Sequence, residues 1–468
     1  MKSGVFPSFF RVFISALAIS GTSLSTFGQA SEPQRTQLLN GLKVVHLHKP
    51  ADQNVLIKLR VHSGAAFDLA GKDGTLALLG EILFPDPSIR EYFTEEMGGR
   101  LHIKTDYDAI TITMQGRATE FERIIEILRT ALVTTQLTPE NVTRIRYGRI
   151  KVAKETGVLP AAVADRAIAS RLFADFPYGR PYGGTAESLE RIDRPDLMLA
   201  RERFLNPNNA TLAIIGGVPP SRAMRTLRQL LGIWRKSEQV VPATFRQPLK
   251  PDSRPLIVNG PGDQSVEVRF AVRGLARRDP DFLAASLVAH VARRRWETSV
   301  PELARTPIFV RHDAFLLPGI FVMGTTVDHL LAAKALAAAQ EIVKQLARSP
   351  VPTVDLDQAK VDLLTTLNKE VGDPDRLADS WLDMDTYGVD SAAEQIRRVN
   401  SITSADLHRI AGRLFSEGAN ASVVVGNSEL VKIQLEPLGK VEVMGAIAPK
   451  TDKPSDQDKP KSAVPSKP

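Results

Sequence analysis

The chain has 468 residues, of which 24% are charged and 43% hydrophobic, which excludes a disordered segment or a mini-domain and calls for two or three folded units. It contains no cysteine, so disulfides, thiolate zinc sites, cysteine nucleophiles and iron–sulfur clusters are excluded together, and any metal would need His, Asp or Glu. A formal charge of +7, from 60 Lys plus Arg against 53 Asp plus Glu, is small for this length and speaks against a nucleic-acid-binding surface.

The first elements in the chain concern its address. Lys2 and Arg11 precede an apolar run over residues 12–24, and small residues follow up to Gly28-Gln29-Ala30, the three parts of a secretory signal. Residues 1–30 are therefore expected to be a signal peptide, with Ser31 the mature start. The run is shorter than the ~20 residues of a membrane span, and an uncleaved anchor is the minor reading. The expectation is an exported soluble protein, periplasmic in a diderm bacterium and otherwise secreted. At the far end, residues 447–468 alternate Lys, Asp, Pro and Ser, a composition with too little to bury to offset the entropy of ordering. They are expected to be a disordered tail.

Between these ends the chain repeats itself. Ile192, Asp196, Leu197, Arg203, Ile215 and Gly216 stand 210 residues before Ile402, Asp406, Leu407, Arg413, Val425 and Gly426, and a constant offset argues for duplication. In each copy an Asp-Leu near a helix start leads through an amphipathic helix to an apolar strand stopped by glycine. The domain openings agree in kind: Val55, Ile57, Leu59 and Val61 alternate as a half-buried strand, and so do Val266, Val268, Phe270 and Val272. The fold class expected is α+β, two homologous domains, each a mostly antiparallel sheet with helices on one face. The domains are placed at residues 31–240 and 263–446. Residues 241–262, interrupted by Pro242, Pro248, Pro251, Pro255 and Pro261, are read as a stiff linker.

Standard catalytic signatures are missing: there is no phosphate-binding Gly-rich loop, no Gly-x-Ser-x-Gly elbow and no dinucleotide fingerprint. Of the eight histidines, only His46 and His48 form a close pair. Alternate strand positions put both rings on one face, read as a solvated one because no carboxylate follows at ligand spacing. His62, His102, His290, His312, His329 and His408 are isolated and read as structural or surface residues. Arg293-Arg294-Arg295 beside Trp296 falls at the end of a helix expected to start near Asp281, where the helix dipole favours cations.

A family resemblance rests on motifs in order. Asn40-Gly41-Leu42-Lys43-Val44 opens the first domain, a strand ends at Ser63-Gly64-Ala65, and Gly71-Lys72-Asp73-Gly74 leads into a helix over residues 76–84. There follow Met97-Gly98-Gly99-Arg100-Leu101, Pro177-Tyr178-Gly179-Arg180-Pro181, Gly184-Thr185-Ala186-Glu187-Ser188, Asn206-Pro207-Asn208-Asn209-Ala210-Thr211 and, in the second half, Pro318-Gly319-Ile320-Phe321. Over roughly residues 38–430 the chain resembles the insulinase/pitrilysin metallopeptidases.

That resemblance implies a site and shows that it is degraded. Active members carry His-x-x-Glu-His on the first helix, two imidazoles on zinc with the Glu as general base. Here the three positions hold Ala77, Gly80 and Glu81, and the third ligand's place falls on Val152 or, after a small gap, Glu155. Three protein ligands are needed, so the resemblance implies no catalytic residue and no metal in this chain, zinc being expected only in a partner subunit. The family's substrate-holding Arg and Tyr match Glu302, or Arg305 after a local shift, and Phe309, which has no hydroxyl.

What the resemblance leaves is an edge strand to which an extended peptide adds by backbone hydrogen bonds. It corresponds here to Leu101, His102, Ile103, Lys104 and Thr105, with an ordinary sheet strand as the alternative. The peptide-binding candidates are Leu101, His102, Ile103, Thr105, Arg305 and Phe309. The function expected is that of a non-catalytic homologue pairing with a zinc-bearing paralogue to enclose unfolded peptides. The alternatives are a stand-alone peptide-binding or chaperone-like scaffold and a purely structural subunit.

Overall fold

The computed structural model describes residues 33–238, 245–260, 264–415 and 419–445. The expected signal peptide, the tail, and residues 241–244 and 261–262 of the expected linker lie outside them.

Two six-stranded sheets organise the chain. The first holds β1 (Gln34–Gln37), β2 (Lys43–His48), β3 (Asn54–Val61), β4 (Arg100–Thr105), β5 (Ile110–Arg117) and β6 (Ala210–Gly216) in the order β1-β2-β6-β3-β5-β4. The second holds β7 (Leu256–Asn259), β8 (Ser265–Arg273), β9 (Ile308–Asp313), β10 (Ile320–Asp328), β11 (Asn420–Gly426) and β12 (Glu442–Met444) in the order β12-β7-β11-β8-β10-β9. Pairing is antiparallel except where β2 meets β6 and where β7 meets β11 and β12. The two orders correspond over five strands, with β3 answering to β8 and β4 to β9; the outermost differ, β1 pairing antiparallel with β2 and β12 parallel with β7. Here is the duplication in space, in the fold class that the sequence implies. One boundary differs: β7 lies inside the stretch read as linker, because Leu256, Ile257 and Val258 find β11 and β12 to pair with despite the prolines before them.

The first half carries helices α1 (Thr75–Ile82), α2 (Ser88–Glu95), α3 (Phe121–Arg129), α4 (Pro139–Gly157), α5 (Pro160–Phe173), α6 (Ala186–Glu190), α7 (Arg194–Phe204) and α8 (Pro220–Leu231). The second carries α9 (Phe282–Ser299), α10 (Ala332–Arg348), α11 (Thr353–Gly372), α12 (Pro374–Tyr387), α13 (Ala392–Ser401), α14 (Ser404–Phe415) and α15 (Ser428–Leu435). The repeated segment is α7 with β6, and α14 with β11. Its repeated Asp closes a capping box each time: Asp196 accepts from the Asp193 N–H at 2.9 Å, and Asp406 from the Thr403 N–H at 2.9 Å. This satisfies donors that the first helical turn leaves open.

Each sheet buries one face against helices of its own half, Ile57, Leu59, Ile112 and Leu212 meeting Leu79, Ile124, Leu197 and Leu227 in the first. The other face is covered from across the join. Val163, Ala164, Ile168 and Leu172 of α5 pack on Val258, Ala271, Val322 and Val423 of the second sheet, while Ala378, Trp381 and Leu382 of α12 pack on Val45, Leu47, Leu56 and Ile215 of the first. The halves thus interlock by exchanging one helix each.

Three expectations are corrected, the first by this exchange. β3 and β8 are buried on both faces rather than half-buried, Lys58 and Arg269 included at 3% and 2% exposed. His46 is buried as well, not solvated: it shares the face of β2 on which Val44 meets the helices of its own half, and burial lowers its pKa. The arginines 293–295 do not end their helix, because α9 runs on to Ser299; Arg293 pairs with Glu297, Arg294 with Asp362 and Arg295 with Asp355.

Candidate functional site

The helix that would carry metal chemistry is α1, and its start is fixed from inside. The Asp68 carboxylate accepts the N–H of Gly74 at 2.7 Å and of Leu76 at 2.9 Å. Burial pushes its pKa up to about 7, against the pull of those two donors and of Arg180. Gly74 takes φ 93°, and a Cβ there would stand 2.8 Å from the Gly183 carbonyl oxygen, so glycine is required on both counts.

Along α1, Ala77 is buried and Gly80 faces β4 and β5. A Cβ on Gly80 would meet Thr105 Oγ1 at 3.1 Å, Ile110 Cγ2 at 3.2 Å and Ile103 Cγ2 at 3.3 Å, so helix and edge strand are in direct contact. Glu81 reaches α4, where the Arg149 guanidinium forms an ion pair with it and donates from Nε to the Gly183 carbonyl at 2.9 Å. Val152, one turn further along α4, is 55% exposed and Glu155 is exposed.

These residues do not fit a metal ion. Ala77, Gly80 and Val152 have no donor atom, and the carboxylate of Glu81 is already neutralised by a guanidinium. Among the described residues no group of three or more His, Asp or Glu side chains is placed to hold a metal.

β4 is an edge strand, paired among the described residues only with β5. Leu101 turns inward, His102 is exposed, and Ile103 and Thr105 are half-buried. In the second sheet Phe309 lies on the corresponding edge strand, β9. The central carbons of the Arg269 and Arg311 guanidiniums lie 5.0 and 4.4 Å from the centre of its ring, within the distance at which a cation is attracted to a ring face. Arg269 is held by Asp165 of α5 at 2.7 Å and by Glu267 at 2.9 Å. Arg305 stands apart, exposed in a short 3-10 turn, Pro301–Arg305, with no hydrogen bond or ion pair to either cluster among the described residues. Glu302 is taken by Lys334 at 2.7 Å.

Between the end of α4, α5 and residues 179–187 lies a cavity of about 640 Å³. Arg149 joins it to the α1 site, Asp165 joins it to Arg269 and Phe309, and Tyr107, in the turn after β4, lines it too.

Two family descriptions match the chain: "Insulinase (Peptidase family M16)" over residues 43–186 and "Peptidase M16 inactive domain" over residues 191–363. The chain belongs to the insulinase family. This insulinase-family chain is 24% identical over 204 residues to an uncharacterized zinc protease of Mycobacterium leprae, a match covering 42% of the chain and 46% of the relative. The chain thus spans less than half of that relative's length. It is 18% identical over 412 residues to an uncharacterized zinc protease of Rickettsia bellii, covering 84% of the chain and 97% of the relative.

Solved structures share the fold. A peptidase M16 inactive domain from Pseudomonas fluorescens is similar at TM-score 0.75 and 15% identity, covering 88% of this chain and 99% of that one. A protease from Helicobacter pylori is similar at TM-score 0.76 and 14% identity, covering 84% and 99%. A chain in a structure of complex III2 from Candida albicans is similar at TM-score 0.71 and 16% identity, covering 85% and 97%.

Within this family member, the sequence-derived positions Gly80, Glu81, Ile103 and Thr105 gather in one place, and Phe309 reaches the same cavity wall through Arg269 and Asp165. Sequence reasoning missed Arg149, Asp165 and Arg166. The signal for Arg149 was faint: a basic residue one turn before the vacated ligand position on the same helix.

Proposed function

We propose that this insulinase-family chain is an exported, non-catalytic subunit that pairs with a zinc-bearing paralogue and holds extended peptides in the chamber the pair encloses. The ion pair of Glu81 with Arg149 carries the reading. At the position where a metallopeptidase needs a divalent ion, this chain supplies a side-chain cation on its own carboxylate. Gly80 moreover offers no base to activate a water, a contribution of about 10² to 10⁴ in rate. The peptide-contacting surface survives: β4 has an open edge, α1 stands against it, and a cavity opens where the strand turns. An added strand would be held through its backbone and needs no particular side chain from β4. The partner's part is the metal and its base.

The test is co-expression with a zinc-type paralogue, followed by size-exclusion with light scattering and a cleavage assay on a denatured peptide. A one-to-one complex that cuts, with the isolated chain inert, is expected. Stoichiometric zinc and chelator-sensitive cleavage by this chain alone would overturn the proposal. A peptide-binding homodimer would favour a stand-alone scaffold, and a chain that assembles without binding peptide a structural subunit.

A further inference from the structure

We infer that the cavity between α4 and α5 is an anion subsite of the peptide groove, taking a carboxylate of the bound peptide; this rests on the peptide-holding reading above. Its wall carries four cations, Arg149, Lys154, Arg166 and Arg180, against two carboxylates, Asp165 and Glu187. Both carboxylates are committed. Asp165 holds Arg269 at 2.7 Å, and Glu187 is kept below its ordinary pKa by its own backbone N–H and by the Thr185 hydroxyl, with Arg166 and Lys154 nearby.

The cations are not all used up. Arg166 donates to one acceptor, the Gly157 carbonyl at 3.2 Å, and enters no ion pair among the described residues. Arg180 pairs with Asp73 at 2.8 Å, yet its Nε is buried without a hydrogen-bond partner. A guanidinium has five N–H donors in a fork that matches a carboxylate, so both residues have donors left to give. Arg166 is half-buried on the cavity wall, and a ligand carboxylate that replaces water there pairs with its unused donors.

The rest of the wall suits a peptide. Gly179, Gly183 and Gly184 present no side chains, Tyr107 and Tyr182 give flat flanks, and a volume of about 640 Å³ lies in the ~300–1,000 Å³ range of ligand sites. The cavity also adjoins the end of β4, since Tyr107 follows Thr105 in the hairpin turn. A chain paired along β4 can therefore place a terminal or side-chain carboxylate there.

The experiment uses fluorescence anisotropy of the full chain with labelled ten-residue peptides of one neutral sequence: C-terminally amidated, with a free C-terminal acid, and amidated with one Glu near the C-terminus. At least one acid-bearing peptide is expected to bind about ten-fold more tightly than the neutral one, as for a charge-assisted hydrogen bond, and the two arms separate the sources. Arg166→Gln removes that preference and Arg166→Lys keeps part of it, each with an unchanged thermal midpoint. Equal binding of all three peptides overturns the subsite while leaving the peptide-holding reading intact. Binding of none would remove that reading itself.

Discussion

Lys58 Nζ stands 2.7 Å from Oδ2 of Asp379, across the join between the two halves of the chain. Its duplicate is the bond from Arg269 Nε to Asp165 Oδ1, also 2.7 Å. Each acid lies five residues after the proline that opens its helix, Pro374 or Pro160, and each base lies within the corresponding strand, β3 or β8. The exchanged helices are thus registered by the same charge contact, used twice.

The two partners of this bond are not equivalent. The Lys58 side chain is 4% exposed and that of Asp379 is 41% exposed. Asp379→Asn takes the nearer of two carboxylates from a buried ammonium, leaving it Asp375 at 3.2 Å, at a cost of about 1 kcal/mol. Lys58→Met leaves a carboxylate that water reaches and that Arg60 still holds at 3.1 Å. Urea unfolding at neutral pH should therefore show the larger loss for Asp379→Asn; the reverse order would mean that the pair is screened like a surface one.

His62 makes the same interface sensitive to acid. Its Nδ1 lies 2.9 Å from Thr386 Oγ1 and its Nε2 3.0 Å from Thr211 Oγ1; burial, then Arg60, brings its pKa down to about 4. Unfolded, the ring titrates near ~6.5. Between these values the unfolded chain takes up a proton that the folded one refuses, so stability is lost as pH falls from about 6.5 to 4. His312, also brought to about 4 by burial, adds a second such slope. Asp68, raised to about 7, opposes them: its folded carboxyl keeps a proton that the unfolded one releases near ~3.9, so its share of stability is present in acid and lost as pH rises through 7. Urea midpoints at pH 4.5 and 7 should lie closer together in His62→Gln than in the parent, and further apart in Asp68→Asn, where the opposing loss between about 4 and 7 is gone.

The vacated metal helix has been repacked. Ala77 is 2% exposed, so an imidazole there has no room, and Ala77→His should cost about 1–3 kcal/mol of overpacking. Glu81→His, at a side chain 35% exposed, should cost less. Neither variant, nor the two combined, is expected to hold stoichiometric zinc by plasma mass spectrometry, since Val152 supplies no third ligand.

What the sequence made legible was whatever is local or repeats. The offset of Asp196 and Asp406 exposed the duplication because a capping box is written within four residues, and the emptied α1 was readable because one helical turn fixes which positions share a face. What it hid depends on distant chain. Lys58 and Arg269 occupy alternate positions that look solvent-facing on a strand; only a helix from the other half buries them. Arg149 has no spacing relation to Glu81, and nothing in the order of residues brings the two together before α1 and α4 pack. Arg305 stayed outside for the complementary reason: its turn precedes β9 and leaves the side chain in solvent.

Phe309 provides the sharpest packing test. Its ring lies over Gly324 of β10, where an added Cβ would stand 2.2 Å from the ring's Cζ and 2.9 Å from Arg269 Cδ. Gly324→Ala must then displace either the ring from its two guanidiniums or the arginine from Asp165, and should cost about 1–3 kcal/mol. In a Phe309→Ala background the ring is gone, and the same change should cost less, leaving a coupling energy of about 0.5 kcal/mol or more. The cycle is read from urea midpoints of the four proteins. Additive losses would mean that ring and glycine do not share one space, and that the close approach of Phe309 to Gly324 does not set the packing of this edge of the second sheet.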